Sequence, residues 1–305
     1  MNKKFLIIRP KYGLCNQLLA ISKGIIFGLV SKRDVIFHSF QLDFRNTENI
    51  CDFHDIIDMG HLQEIIKKYD IKIYSNKECN GTKLITHESN ISMIKDFTTL
   101  LLNDINNSET YLDVDNPISS DIPYNYYKLY NHINLNIKFT QKYIDIANNI
   151  KEQLNLSNYI CIHLRLENDA INFMKDQTEK YNFDIINQIC KNKYINELNL
   201  LSQYHPDKKV YICTSLGIDN DNVNNTFYNE IKNKYKLIDK NNFIDNINTN
   251  NHREIYGIVD FIIAQESSYF IGVDWSSFSI YIDDYHKSKN IGTTLIDIWK
   301  TIVSI

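Results

Sequence analysis

The sequence has few features of a metal-binding, membrane-spanning or nucleic-acid-binding protein. Its six cysteines form no CxxC pair, so the usual zinc and thioredoxin-type motifs are excluded. No apolar run approaches the roughly 18 residues that indicate a transmembrane helix, so no membrane partner is expected. The net charge of -4 gives no reason to expect a nucleic acid, because binding a polyanion requires an excess of basic residues.

The length and composition are those of a soluble protein with more than one domain. A chain of 305 residues exceeds the size at which a single core keeps growing, and 43% hydrophobic with 23% charged residues is ordinary for a globular protein. We expect two domains, residues 1–150 and 151–305, with the junction between Ile137 and Ser157.

Two observations favour the cytoplasm. Cys161 and Cys213 lie inside apolar, strand-like runs and are expected to be buried free thiols, which are typical of a reducing compartment. The first apolar stretch is short and is followed at once by Arg9 and Pro10, which fits a β-strand and not a signal peptide.

Hydrophobic patterning predicts alternating strands and helices along much of the chain. Strand-like and helix-like segments follow one another most clearly in the second half, which predicts an α/β fold with a doubly wound parallel sheet there. The predicted segments are strands 5–9, 34–39, 159–164, 209–214, 235–238 and 269–273, and helices 16–32, 178–201, 222–234, 253–265 and one starting near 276. Residues 98–137 are predicted to be loops and short helices.

Three of the predicted strands end in polar residues, where a doubly wound sheet binds its ligand. The first ends in His163 and Arg165, and the planar guanidinium is suited to a phosphate or to a nearby carboxylate such as Glu167 or Asp169. A second ends in Thr214 and Ser215.

The third strand end carries Ser276 and Ser277 just before a helix. A serine there is either an ordinary N-cap or part of an anion site formed by the first N–H groups of the helix. Together with Arg165 at the same edge of the sheet, this turn suggests a ligand that carries a pyrophosphate.

The first strand is followed by the turn Gly13-Leu14-Cys15-Asn16-Gln17, which matches neither a dinucleotide-binding loop nor a P-loop. Gly13 permits close backbone approach or a positive φ, and Asn16 is suited to capping the next helix or to reaching a ligand.

With these motifs in this order, the sequence resembles the GDP-fucose O-fucosyltransferase family, and most closely its plant-type members. The resemblance is carried by the turn at Gly13, by His163-Leu164-Arg165 and by the run Ser276–Ser279, with a further similar segment at Phe53–Leu62. It implies a GT-B-like architecture of two Rossmann-type domains, with the acceptor on the N-terminal side and the nucleotide-sugar donor on the C-terminal side.

The same resemblance implies inverting transfer of fucose from GDP-fucose to a hydroxyl of a protein Ser or Thr or of a glycan, without metal or cofactor. It implies that Arg165 stabilises the departing diphosphate and that Asn16 faces the reacting sugar or acceptor. The residues that it places at the donor are Gly13, Leu14, Cys15, His163, Asp169, Thr214, Asp260, Ser276, Ser277 and Phe278.

Two positions depart from the family pattern, and the general base is left open. Cys15 stands where the family has a second glycine, and Ser215 stands where relatives often have aspartate. Asp43, Glu167 and Asp169 are the candidates for a base, and a dissociative path that needs little help from a base is the alternative.

Three other functions compete with this one. Asp113 and Asp115 form a DxD pair, which a metal-dependent GT-A enzyme would use. A nucleotide-sugar or glycan-binding protein without turnover would explain Cys15, and a different nucleotide sugar could use the same fold.

Overall fold

A computed structural model describes the chain at residues 3–43, 45–46, 48–79, 91–92, 111–115, 117–119, 121–178, 180–218, 222–243 and 252–304. The chain divides into two compact units, Met1–Tyr143 and Ile144–Ile305. The division falls inside a helix, Gln141–Gln153, and within the stretch predicted for the domain junction.

The N-terminal unit is an α/β unit built on a parallel sheet. Its strands are β1 Phe5–Arg9, β2 Asp34–Phe37, β3 Phe40–Gln41, β4 Ile50–Cys51, β5 Ile73–Ser75, β6 Ile91–Ser92 and β7 Tyr111–Asp115. Its helices are α1 Leu14–Ser31, α2 Phe53–Ile56, α3 Met59–Ile66, α4 Tyr127–Leu135 and the start of α5 Gln141–Gln153. The described strands form a parallel sheet in the order β5-β2-β1-β7-β6, and β3 pairs with β4 antiparallel.

Helix α1 lies directly on this sheet because two glycines let the backbones approach. A Cβ added at Gly24 would lie 2.7 Å from Ile8 Cγ1, and one at Gly28 would lie 2.3 Å from Val35 Cγ2. Among the described helices, α1 is the one long and apolar enough to cross a membrane, with a mean hydropathy of 1.5. Two thirds of it is buried, 67%, as is typical of a core helix.

Strand β7 corrects the prediction of loops over residues 98–137. It pairs in parallel with β1 along its whole length, from Tyr111 opposite Phe5 to Asp115 opposite Arg9. The prediction failed because β7 is short and lies in an Asn- and Asp-rich stretch, so only tertiary pairing distinguishes it from a loop.

The C-terminal unit is a second α/β unit, with helices packed on a parallel sheet. Its strands are β8 Ile160–His163, β9 Val210–Cys213, β10 Tyr269–Val273 and β11 Gly292–Ile296. After the end of α5, its helices are α6 Asn168–Thr178, α7 Phe183–Tyr204, α8 Asn225–Tyr235, α9 Arg253–Gln265, α10 Ser277–Ser288 and α11 Trp299–Ser304. The described strands are ordered β11-β10-β8-β9, so the chain leaves β8 in one direction and returns to its other side, as in a doubly wound sheet.

Two predicted elements of this unit need correction. Helix α8 runs to Tyr235 and ends at Lys236, whose φ of 53° is left-handed, so the predicted strand 235–238 is reduced to one bridge between Ile238 and Tyr211. The predicted helix 178–201 is helix α7, and α6 before it was not predicted.

Candidate functional site

The carboxyl ends of β8, β9 and β10 lie side by side and carry most of the predicted donor residues. Strand β8 lies between β9 and β10, which places the segments after Cys213, His163 and Val273 at one edge of the sheet. This edge is the switch point of the sheet, where doubly wound folds leave a crevice for a ligand.

The segment after β8 is held in place by a buried tyrosine of α7. The Tyr194 hydroxyl donates to the carbonyl of His163 at 2.8 Å and accepts from the N–H of Arg165 at 2.9 Å. Tyr194 is fully buried, so both hydrogen bonds are shielded from water. The backbone direction at Arg165 is therefore fixed by the core.

The Arg165 guanidinium is bonded to two carboxylates. Its Nη1 lies 2.8 Å from Glu167 Oε2, and its Nη2 lies 2.6 Å from Asp169 Oδ2. Burial alone would lower the pKa of Arg165, but these two carboxylates raise it above its usual value. The sequence left open whether Arg165 pairs with a carboxylate or a phosphate, and in this structure it pairs with two carboxylates.

Glu167 is fixed by three donors. Besides Arg165, the N–H and the hydroxyl of Ser215 both donate to Glu167 Oε1, at 3.1 and 2.8 Å. Burial alone would raise the pKa of Glu167, but the adjacent charges of Arg165 and Arg253 outweigh it and hold the pKa well below its usual range. The departure at Ser215 now has a physical reason, because an aspartate there would set a second carboxylate against Glu167.

His163 lies between a serine and an aromatic ring of α10. Its Nδ1 is 2.8 Å from Ser279 Oγ, which also accepts from the N–H of Val273 at 2.9 Å. The Phe278 ring lies against the imidazole with centroids 4.5 Å apart. Burial lowers the pKa of His163 to about 3, so the ring is neutral at physiological pH.

This close approach of α10 to β10 requires a residue without a side chain at Gly272. A Cβ there would lie 2.6 Å from the Cβ of Ser279. Gly272 therefore allows the Ser279 hydroxyl to reach both the Val273 N–H and His163.

Asp260 of α9 is buried beneath the end of β9 and paired with a lysine. Its Oδ2 accepts from Lys240 Nζ at 2.5 Å and from the Thr214 N–H at 3.2 Å, and its Oδ1 accepts from the Tyr211 hydroxyl at 2.8 Å. Lys240 Nζ also donates to the Thr214 carbonyl at 2.7 Å. Burial raises the pKa of Asp260 in spite of the lysine. This network fixes the backbone of Thr214.

Ser276 occupies the N-cap position of α10, as predicted, but its side chain makes no capping hydrogen bond. The Ser276 carbonyl accepts from the N–H of Ile280 at 2.9 Å, and the Ser276 side chain is buried. Ser277 begins the helix, and Ser277 and Phe278 are half-buried. The turn therefore has the backbone form expected of either a cap or an anion site.

The turn after β1 in the N-terminal unit is held by two glutamines. The buried Gln17 donates to the carbonyls of Tyr12 and Gln41, each at 2.9 Å, and accepts from the Gln41 N–H at 2.8 Å. The Gln41 side chain in turn accepts from the Tyr12 N–H at 2.9 Å. The left-handed residue is Tyr12, with φ 73°, while Gly13 is extended, so the positive φ considered for Gly13 lies one residue earlier.

The predicted donor-site residues at the start of α1 differ in how deeply they are buried. The side chains of Leu14 and Cys15 are buried in the unit, whereas Gly13 and Asn16 are half-buried. Cys15 therefore replaces the family glycine with its thiol directed into the core.

Asp43 follows β3 and is paired locally with Arg45. Its carboxylate accepts from the Arg45 N–H at 2.9 Å, from Nε at 3.1 Å and from Nη2 at 3.0 Å. The Gln17–Gln41 bonds tie this segment to the turn that carries Asn16. Among the described residues, no direct hydrogen bond is found between Asn16 and Asp43.

The DxD pair lies in a strand. Asp113 and Asp115 belong to β7, and their backbones lie opposite Ile7 and Arg9 of β1, while their side chains fall outside the described part of the chain. Among the described residues, no group of three or more His, Cys, Asp or Glu side chains is placed to hold a metal ion.

Several residues of these networks were missed by reasoning from the sequence. Tyr194, Lys240 and Arg253 each contact a predicted site residue from another element, and Ser279, which the sequence analysis named only as part of the run Ser276–Ser279, bonds His163. A lysine in the polar stretch after residue 238 is expected to be solvated, and a helix tyrosine is expected to pack in a core, so neither carries a local signal.

Comparison with known proteins identifies the family. The family model described as GDP-fucose protein O-fucosyltransferase matches residues 36–288, well over half of the chain. No curated protein matches the chain in sequence.

Solved structures share the fold. A crystal structure of POFUT1 in complex with GDP-fucose is 11% identical, with a TM-score of 0.63, and the match covers 96% of this chain and 98% of that one. The fucosyltransferase NodZ from Bradyrhizobium is also 11% identical, with a TM-score of 0.58, covering 93% and 92% of the two chains. A NodZ alpha-1,6-fucosyltransferase co-crystallized with GDP is 12% identical, with a TM-score of 0.54 and the same coverage.

These likenesses confirm the predicted GT-B-like α/β fold with parallel sheets, and the family match confirms both the resemblance seen in the sequence and the prediction of a glycosyltransferase. The chain belongs to the GDP-fucose protein O-fucosyltransferase family.

Proposed function

We propose that the protein transfers fucose from GDP-fucose to an acceptor hydroxyl, with inversion at the anomeric carbon. The proposal rests on the position of Arg165, whose backbone is fixed at the switch point of the sheet, in a chain that belongs to this family. POFUT1 has been solved in complex with GDP-fucose and NodZ with GDP, which supports the same donor here.

In the proposed reaction, the bond between the fucose anomeric carbon and the diphosphate oxygen breaks, and its electron pair leaves with GDP. A new bond forms to the acceptor oxygen, whose proton is released. Arg165 stabilises the negative charge that develops on the leaving diphosphate, which is electrostatic catalysis by a charge already in place. Glu167 and Tyr194 hold this arginine and its backbone in that position.

The nucleobase of the donor is proposed to bind near His163, Phe278 and the Thr214 segment. The neutral imidazole packs against Phe278 with an angle of 39° between the rings, and its Nε2 is available for a hydrogen bond while Nδ1 bonds Ser279. Asp260 supports this region by fixing the Thr214 backbone.

Glu167 is poorly suited to be the general base, because it accepts three hydrogen bonds and its pKa is held low. We therefore propose a dissociative path that needs little base assistance, with Asn16 and Asp43 as acceptor-side residues. The acceptor is proposed to be a protein Ser or Thr or a glycan, and the reaction to need no metal. Full activity in EDTA would support metal independence.

A thermal-shift and transfer experiment tests the proposal. GDP-fucose should raise the melting temperature more than UDP-sugars do, and the protein should release GDP from GDP-fucose in the presence of acceptor. Arg165→Ala should abolish most of the shift, whereas Lys287→Met, a loss of an exposed cation in the same unit, should not.

Two results would contradict the proposal. A larger shift with UDP-sugars would assign a different donor to the same fold. GDP binding without transfer or donor hydrolysis would indicate a nucleotide-sugar-binding protein, a function that the pairing of Arg165 with two carboxylates also permits.

A further inference from the structure

A second arginine, Arg253, lies beside Arg165. Arg253 is the first residue of α9, and its Nη1 and Nη2 are both 3.5 Å from Asp169 Oδ1. Arg165 Nη1 lies 3.4 Å from the same oxygen, and its Nη2 lies 2.6 Å from Asp169 Oδ2. The two guanidinium groups therefore converge on one carboxylate, although the residues are far apart in the sequence.

Asp169 is the more exposed of the two carboxylates in this cluster. Glu167 is nearly fully buried and bonded by Ser215, so it stays with Arg165. Asp169, in contrast, has a side chain that is 30% exposed and lies in the first turn of α6, where it can rotate into water. Its contacts with Arg253 are at the long limit for a hydrogen bond.

The charges of this cluster balance without a ligand. Two arginines face two carboxylates, Glu167 and Asp169, and His163 is neutral. An added diphosphate would compete with these two carboxylates for the guanidinium groups of Arg165 and Arg253. Asp169 is the one that can move, and its departure would free one side of both arginines at once.

We propose that Asp169 is a displaceable counter-ion and that the donor's β-phosphate, the one joined to the sugar, takes its place between Arg165 and Arg253, which makes Arg253 a second diphosphate-binding residue. This inference rests on the proposed function for the identity of the nucleotide. Binding of the diphosphate does not depend on the proposed function, because an anionic oxygen at the position of Asp169 Oδ1 reaches both guanidinium groups whichever nucleobase is attached.

Calorimetric titration of GDP and GMP into the wild-type protein and its variants tests the inference. Because both arginines bear on the same carboxylate oxygen, both should bind the same phosphate, which GMP lacks. Arg253→Ala should weaken GDP binding about ten- to a hundredfold, the range for a hydrogen bond to a charged group, and lower the GDP-to-GMP affinity ratio by the same factor, while Arg165 keeps the ratio above one. Arg253→Lys keeps the charge and should fall between, and Lys287→Met should match the wild type.

Asp169→Asn tests whether the Asp169 carboxylate is displaced by the phosphate or instead holds the two arginines in place for it. If the carboxylate competes with the phosphate, the amide variant should bind GDP at least as tightly as the wild type. A loss of GDP affinity comparable with that of Arg165→Ala would overturn the displacement. Intrinsic fluorescence of each variant, compared with that of the wild type, checks that the C-terminal unit is folded.

The outcomes distinguish this inference from the proposed function. GDP binding that is unchanged in Arg253→Ala would overturn the inference and leave the proposed function standing. A preference for UDP with the same dependence on Arg253 would support the inference and overturn the donor assignment. Wild-type protein that binds neither GDP nor UDP would overturn both.

Discussion

Replacing Lys240 with methionine should destabilise the C-terminal unit by leaving a buried carboxylate without its cation. The side chains of Lys240 and Asp260 are 1% and 5% exposed, and methionine keeps most of the apolar length of lysine. Asp260 would retain the Tyr211 hydroxyl and the Thr214 N–H as donors. Breaking a buried pair by removing one partner costs about 3–5 kcal/mol, so the free energy of unfolding should fall by about that amount.

Urea unfolding followed by tryptophan fluorescence measures this loss of stability in the C-terminal unit. The two tryptophans of the chain, Trp275 and Trp299, both belong to the C-terminal unit, so the signal follows that unit alone. Lys287→Met is the matched control, because Lys287 pairs with Asp283 at 2.6 Å but its side chain is 63% exposed. Its loss should cost less than about 1 kcal/mol.

A double variant tests the physical reason. In Lys240→Met combined with Asp260→Asn, the buried charge is gone together with its partner, so part of the lost stability should return. The reasoning is refuted if Lys240→Met shifts the midpoint no more than Lys287→Met does, or if the double variant is less stable than the single one.

Three further outcomes are expected in the same unit. Burial gives the folded His163 a pKa of about 3, whereas an unfolded histidine has one of about 6.5, so the unfolded state binds more protons below pH 6.5. Urea unfolding should therefore show stability falling as the pH is lowered from 6.5 to 5, at a rate that approaches about 1.4 kcal/mol per pH unit near pH 5, and His163→Gln should lack this loss. Ser215→Asp restores the residue that relatives often have, yet it should weaken GDP binding in calorimetry, because it sets a like charge against Glu167, and Ser215→Asn should be milder. Gly272→Ala should cost about 1–3 kcal/mol in urea unfolding, since the new methyl group would lie 2.6 Å from Ser279 Cβ; no loss would mean that α10 can shift freely.

The positions of the site motifs could be predicted from the sequence, because they follow from strand periodicity and from the rule for strand ends. Strands β8, β9 and β10 lie within one residue of their predicted limits, and α10 begins at Ser277 after a turn with Ser276 at the N-cap. A short apolar run that ends in polar residues can be read locally in the sequence. Because parallel strands end at the same edge of a sheet, such runs predict that their polar residues lie together.

The electrostatic partners could not be predicted in the same way. Lys240 lies 20 residues before Asp260, and Arg253 lies 84 residues after Asp169, so no spacing links either pair in the sequence. Which carboxylate neutralises which cation depends on how helices α6 and α9 pack on the sheet. The same holds for β7, which is a strand because β1 and β6 pair with it.

The strand order of the C-terminal sheet also determines when the site can form during synthesis. Strand β8 pairs with β9 about 50 residues later, but its other neighbour, β10, follows only after more than a hundred residues. Ser279 and Phe278, which contact His163, come still later. A chain growing from its N-terminus therefore completes the N-terminal sheet first and carries an unfinished proposed donor site until the segment after β10 is made. Closing that long loop is an entropic cost that falls on the functional residues themselves.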